Sequence, residues 1–298
     1  MTAAELFIAI AKVSGLLFVV ASMQAMGLSL TMGQILQPLK NVRLVILALL
    51  ASFVLVPALG YGIAQAFSLD QQLESGLIVL AAAAGAPFLP KLVQGAKGNV
   101  AFGVGLMVLL MVVTIAYLPI VLPLLLPDVK VDPWDIAKSL IVLMLVPLAI
   151  GLLIKWHSAD TATHWQPVMA KTSTIALLVL LVVGLGLNVS NIIDLIGTGG
   201  IAAALLFIVG SFVIGYVLGL LGGRDPGVHS VMALGTAQRN VSAALVVTAQ
   251  NFATGTTLPF VLVTALLALL ILLPAARVLG KRQHAAKPEP VPSTASGN

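Results

Sequence analysis

Nine times along the sequence, a run of predominantly apolar residues continues for about 20 residues or more between short polar connections: 6–30, 43–67, 74–96, 99–126, 134–155, 167–189, 198–221, 228–252 and 257–280. About 20 helical residues cross the hydrocarbon of a bilayer, and only helices or closed barrels satisfy their own backbone polar groups there. The runs therefore predict an all-α integral membrane protein of about nine transmembrane helices. Of the 298 residues, 60% are hydrophobic and only 8% are charged, too few to cover the core of a water-soluble domain of this length. One transmembrane domain over 1–282 uses nearly the whole chain, and the Pro-, Ser- and Ala-rich stretch 283–298 reads as a disordered tail. Glu5 precedes Lys12 in the first run, which argues against a cleaved signal peptide. The chain has no cysteine, which excludes disulfides, thiolate metal sites and cysteine nucleophiles. Basic and aromatic residues do not cluster as nucleic-acid binding requires.

The connections alternate in charge. One set carries Lys40 and Arg43, then Lys97, then Lys155 and Lys171, then Arg224, with Lys281, Arg282 and Lys287 after the last run. The other set carries Asp70, Glu74, Asp128, Asp132, Asp135 and Asp194, against Lys130 and Lys138. Lysine and arginine collect on the cytoplasmic side. Nine spans then place the N-terminus outside and the C-terminus in the cytoplasm, in a cell (inner) membrane. Lys12 is expected to snorkel outward, and His157, His164 and His229 are expected in solvated connections.

Arg239 interrupts this greasy pattern. It lies near the middle of the run 228–252, in the sequence Gly235-Thr236-Ala237-Gln238-Arg239-Asn240, with Ser242 close behind. A guanidinium at membrane depth costs several kcal/mol and survives where it faces protein or a watery cavity. This segment predicts an intramembrane polar site. The structural alternative is an arginine that caps carbonyls freed by a break in the helix.

The chain also repeats itself faintly at an offset of 155 residues: Gly60-Tyr61 with Gly215-Tyr216, Asp70 with Asp225, Pro119 with Pro274. The offset contains five spans, so the two units would be inverted, the usual frame of secondary transporters. The third and eighth runs then correspond, and both are interrupted. In the third, Gly85-Ala86-Pro87-Phe88-Leu89-Pro90-Lys91 removes backbone donors; in the eighth, the interruption is expected over Gly235–Asn240. Gly85, Pro87, Pro90 and Gly235 are thus the expected broken-helix backbone. Broken spans at matching positions point to a substrate site.

Met26-Gly27-Leu28-Ser29-Leu30, Gly98-Asn99-Val100-Ala101, and the stretch from Gly235 to Gln250-Asn251-Phe252 stand in the order, spacing and span context of the bile acid:sodium symporters, and the chain resembles that family over nearly its whole length. The resemblance implies an inverted-repeat fold with two broken, crossing helices, in which a panel (spans near 6–30, 134–155 and 167–189) faces a core (near 43–126 and 198–280). It also implies a monomer that moves organic anions, usually with sodium. The sequence departs from the family where sodium would bind. The usual Pro-Gly-Gly and Ser-Asn of the first broken helix are replaced by Ala86-Pro87-Phe88-Leu89-Pro90-Lys91, and the usual Glu of the second falls near Ala233. A hard cation wants several oxygens with a carboxylate among them.

The sequence therefore predicts a secondary carrier of a small organic anion working by alternating access. Lys91 and Arg239 would stand in for the lost sodium ions. The substrate-binding candidates are Arg239, Gln238, Asn240, Thr236, Ser242 and Lys91. Neither a resident metal nor a cofactor is expected, and sodium is disfavoured. Proton coupling through Lys91, exchange and uniport remain the alternative carriers, with a channel or membrane sensor more distant. An intramembrane enzyme fits poorly, because no His, Cys or acidic pair lies inside the spans to move protons or attack a substrate.

Overall fold

A computed structural model of the chain describes residues 3–36, 40–127, 132–187, 189–252 and 255–285. Asp128, Lys130, Lys287 and Asn188 lie outside the described residues, as does 286–298 of the expected tail. All regular structure among the described residues is helical: α1 (Ala3–Ser29), α2 (Met32–Leu36), α3 (Val42–Leu50), α4 (Val56–Ala66), α5 (Gln71–Ala82), α6 (Leu89–Gly95), α7 (Val100–Leu125), α8 (Pro133–Leu140), α9 (Val146–His157), α10 (Ala159–Leu187), α11 (Val189–Gly197), α12 (Gly200–Gly222), α13 (Pro226–Ala237), α14 (Val241–Asn251) and α15 (Thr257–Ala285). A π-helical turn, Ala51–Leu55, joins α3 to α4, and another, Ile141–Leu145, joins α8 to α9.

Seven helical stretches among the described residues are long and apolar enough to cross a membrane: Leu6–Ser29, Val42–Ala66, Val100–Leu125, Pro133–His157, Ala159–Gly184, Gly200–Gly222 and Thr257–Gln283. They coincide with seven of the nine apolar runs. The two remaining runs, 74–96 and 228–252, are each divided into a pair of shorter helices, α5/α6 and α13/α14. Two boundaries differ from expectation. α10 starts at Ala159, because the Ser158 hydroxyl caps the Thr161 N–H, and it carries Pro167 within it. The last helix continues through 283–285, which the sequence assigned to the tail. Gln283 anchors that turn by donating to the Ser230 hydroxyl (2.7 Å) and the Pro226 carbonyl (3.2 Å).

Short polar side chains set the helix starts. Asn41, Asp70, Asn99, Asp132, Asp225 and Asn240 each accept a first-turn N–H of the helix that follows, a cap worth about 1 kcal/mol. The starts also sort by end. Asn99 donates its N–H to the Gly227 carbonyl, and Lys40, Asn99 and Arg224 line one cavity. At the opposite end the Gln65 amide donates to Glu74, and Gln72 accepts from the Thr256 N–H and hydroxyl. The basic connections at Lys40, Lys97 and Arg224 thus gather at one end, away from Asp70 and Glu74.

α1 packs chiefly against α9 and α10. The contact is close because Gly27 faces Gly151: a Cβ on Gly27 would strike the Leu148 carbonyl and come within 2.9 Å of the Gly151 Cα. Both obstacles are backbone and cannot rotate away. Gly27→Ala should therefore force α1 off α9 at a cost of about 1–3 kcal/mol, seen as a lower unfolding temperature of the purified protein. An unchanged temperature would mean the two helices slide apart freely.

The 155-residue offset reappears in local packing. A Cβ on Gly60 would lie 2.8 Å from the Ala81 Cβ, and one on Gly215 would lie 2.7 Å from the Thr236 Cβ. Each pair is the other shifted by 155. Asp70 and Asp225 cap α5 and α13, and these helices end at Ala83 (φ −90°, ψ 98°) and Gln238 (φ −77°, ψ 103°), both extended.

Candidate functional site

The two interrupted runs meet at their breaks. α5 ends in a non-helical stretch over Ala83–Ala86, in which Ala83 is extended and Gly85 takes φ +81°. A helix that stops inside a membrane protein frees carbonyls and N–H groups, each of which needs a partner. Here the partners come from the other break. The Asn240 N–H donates to the Ala83 carbonyl (2.9 Å), and the Asn240 amide donates to the Ala84 (3.3 Å) and Gly85 (3.1 Å) carbonyls. Its oxygen meanwhile caps α14 at the Ala243 N–H (3.1 Å). Thr114 of α7 completes the set: its hydroxyl accepts from the Ala84 N–H (2.9 Å) and donates to the Ala84 carbonyl (3.0 Å).

Arg239 is 4% exposed and sits at the centre of this junction. Its Nε donates to the Leu80 carbonyl (3.0 Å), Nη1 to Thr236 (3.1 Å), and Nη2 to Ala81 (2.5 Å) and Ser52 (3.3 Å). One guanidinium thereby ties α5, α13 and the π-helical turn together. The Ser52 carbonyl is available because of Pro57. Within the turn the Val56 N–H goes to the Ala51 carbonyl, and Pro57 has no N–H to offer the carbonyls of Ser52 and Phe53. The Phe53 carbonyl is taken by the Tyr117 hydroxyl (2.6 Å). A charge at this depth is tolerated because carbonyl dipoles replace its hydration.

The breaks are shorter than the sequence suggested. Gly235 and Thr236 are still helical, since the Gln238 N–H continues the ladder to the Leu234 carbonyl, and only 238–240 are non-helical. Gly235 serves packing, 3.1 Å from the Leu89 side chain at a built Cβ. Pro87 lies in the turn before α6, whereas Pro90 lies in the first turn of α6, where a missing N–H costs nothing.

The candidates divide accordingly. Arg239, Asn240 and the Thr236 carbonyl form the junction. Gln238 and Ser242 are buried beside it, and the Gln238 Oε1, Ser242 Oγ, Ser52 Oγ and Thr264 Oγ1 have no hydrogen-bond partner among the described residues. Gln238, Arg239 and Thr264 border a void of about 10 Å³ with Leu80, Phe207 and Val241, about the space of one water. Lys91 is not part of this junction. It is exposed, with its ammonium 5.7 Å from the centroid of the Phe88 ring. His229, expected in solvent, is buried and its Nε2 lies 2.8 Å from the Gly223 carbonyl. Thr114, Tyr117 and Pro57 were missed. The signal was a lone Thr, Tyr or Pro within otherwise apolar runs.

The four carbonyls that converge at the junction are an oxygen cage of the kind that holds a hard cation, yet each is already bonded to Arg239. Among the described residues, no three His, Cys, Asp or Glu side chains cluster as metal ligands.

A sequence model of the Sodium Bile acid symporter family matches residues 16–195, more than half of the chain. The curated relatives include probable sodium/metabolite cotransporters named BASS3, chloroplastic. The protein from Arabidopsis thaliana is 28% identical over 56% of this chain and 39% of its own length. The one from Oryza sativa subsp. japonica is 24% identical over 65% of this chain and 46% of its own length. The chain thus spans less than half the length of either relative.

Proposed function

Because the chain belongs to the sodium bile acid symporter family, an integral membrane transporter family, we propose that it is a secondary carrier of a small organic anion that works by alternating access. The observation that carries this reading is the junction itself: two interrupted helices meet inside the bundle and are held by one buried positive charge. Their matched caps, breaks and glycine contacts at an offset of 155 support an inverted repeat. The grouping of α1 with α9 and α10 supports a panel against which the remaining core would move. The anion meets the field of Arg239 rather than its N–H groups, most of which are spent on carbonyls. The Gln238 Oε1 and Thr264 Oγ1, which have no partner among the described residues, border a void of one water's size beside it and would meet the anion only when the core moves and that void opens. Lys91 serves at the membrane interface. The protein acts as a monomer, without catalysis, in a cell membrane with its basic end in the cytoplasm.

In this reading sodium has no place at the junction. The guanidinium is a cation fixed to the chain, so it cannot be carried down a gradient, and transport runs by uniport, exchange or proton coupling. Purified protein should show the same unfolding temperature in sodium as in potassium or choline at equal ionic strength, since only a ligand bound to the folded state raises it. A specific rise in sodium would overturn the fixed-cation reading and leave the symporter. Uptake of radiolabelled carboxylates into proteoliposomes tests the carrier itself. Saturable uptake with accelerated exchange is expected, whereas unitary currents or uptake without saturation would identify a channel.

A further inference from the structure

A cavity of about 460 Å³ opens at the basic end of the bundle, away from the α1–α9–α10 group. Its wall is built by the starts of α3, α7 and α13 and the end of α12, and includes Lys40, Asn41, Asn99, Gly223, Arg224 and Asp225. Its volume is that of a small-molecule site. Contacts within the protein hold the wall together. The Asn99 N–H is bonded to the Gly227 carbonyl, and Leu44 packs directly on Gly222.

The charged side chains of the wall are two cations, Lys40 and Arg224, against one acid, Asp225. Lys40 and Arg224 are exposed and form no ion pair among the described residues. The side-chain oxygens of Asn41 and Asn99 are turned to the N–H groups of Leu44 (3.2 Å) and Phe102 (3.0 Å), and their amide NH2 groups have no partner among the described residues. Asp225 is the one acid in the wall, and its Oδ1 is held by the Gly227 N–H (2.8 Å). Donors thus surround the space from several sides. A carboxylate presents two oxygens in one plane, which a single arginine can satisfy. A phosphate presents more oxygens in more directions, which donors from the starts of α3 and α7 and from the α12–α13 connection can share.

We propose that this cavity binds a phosphate-bearing anion, either the headgroup of an anionic phospholipid or a soluble phosphate ester, at a place distinct from the transport junction. Basic pockets between membrane helices at a protein's cytoplasmic end attract such groups.

The test compares the purified protein with Lys40→Gln/Arg224→Gln, and with Lys281→Gln/Arg282→Gln as a control that removes equal charge from the same end without touching the cavity. Unfolding temperature is followed against phosphatidylglycerol, phosphatidylcholine, glycerol 3-phosphate and inorganic phosphate. The native protein and the control should be stabilised by phosphatidylglycerol or by the soluble phosphates, with an apparent affinity about tenfold or more above that of the cavity variant. Stabilisation by phosphatidylglycerol alone assigns a lipid, and stabilisation by glycerol 3-phosphate as well assigns a soluble ester. Equal loss in the control and the cavity variant would reduce the effect to diffuse surface charge and overturn the proposal. Absence of any phosphate response in the native protein would overturn it too. The substituted residues are exposed, so the variants should unfold at the native temperature when no phosphate is present.

Discussion

Arg239→Ala is expected to abolish anion uptake and to lower stability by about 3–5 kcal/mol. The substitution removes the donors of the Ala81, Thr236 and Ser52 carbonyls and leaves the Leu80 carbonyl only the Ala83 N–H, and with them go the guanidinium's ties between α5, α13 and the π-helical turn. Membrane insertion should survive, because the apolar runs that drive it are untouched. Proteoliposome uptake and thermal unfolding of the same preparation read the two effects together. Arg239→Lys separates charge from geometry. A lysine keeps the positive charge, but its single ammonium cannot reach four carbonyls on three elements. We expect less than about a tenth of native transport, with part of the stability retained. Near-native transport by the lysine variant would mean that charge alone matters, and native transport by the alanine variant would remove the junction from the mechanism.

Gly85→Ala is expected to be as severe. Gly85 has φ +81°, a conformation that costs other residues about 1–3 kcal/mol. A Cβ there would also strike the Met111 nitrogen and lie 2.6 Å from the Met111 Cα and 2.7 Å from the Met107 carbonyl. All three obstacles are backbone of α7, so no rotamer relieves them. Relief requires the break to lift off α7, which pulls Ala84 from Thr114 and the Gly85 carbonyl from Asn240. A loss of more than about 3 kcal/mol and of nearly all transport should follow. Gly62→Ala is the matched control: a Cβ at Gly62 meets nothing within 4 Å, and alanine favours α4 by about 1 kcal/mol. If Gly85→Ala behaves like Gly62→Ala, the break is not held against α7.

Much of the architecture was legible because lipid leaves the chain few choices. A run such as 99–126 must be helical to satisfy its backbone, and the structure has α7 there. The divided helices were legible for the same reason: Gly85 and Pro87 in one run and the polar Gln238-Arg239-Asn240 in the other cannot continue an ordinary helix without cause. The exact breaks were not. Gly235 and Pro90 looked like breakers but are accommodated, one by packing under Leu89 and one in a first turn. Lys91 and Arg239 look equivalent along the sequence, and only three dimensions separate an exposed lysine over Phe88 from a buried arginine.

The sequence by itself determined that this chain spans a membrane, which two of its runs are interrupted, and which of its ends is basic. Those properties follow from the local cost of exposing backbone and charge to hydrocarbon, which each segment meets on its own. The tertiary structure decided what the interruptions do. Arg239 donates to carbonyls as many as 187 residues away, and no local rule selects those partners. A proline on one helix frees the carbonyl, a glycine on a second lets the break lie flat against a third, and only their packing brings the freed oxygens to one guanidinium.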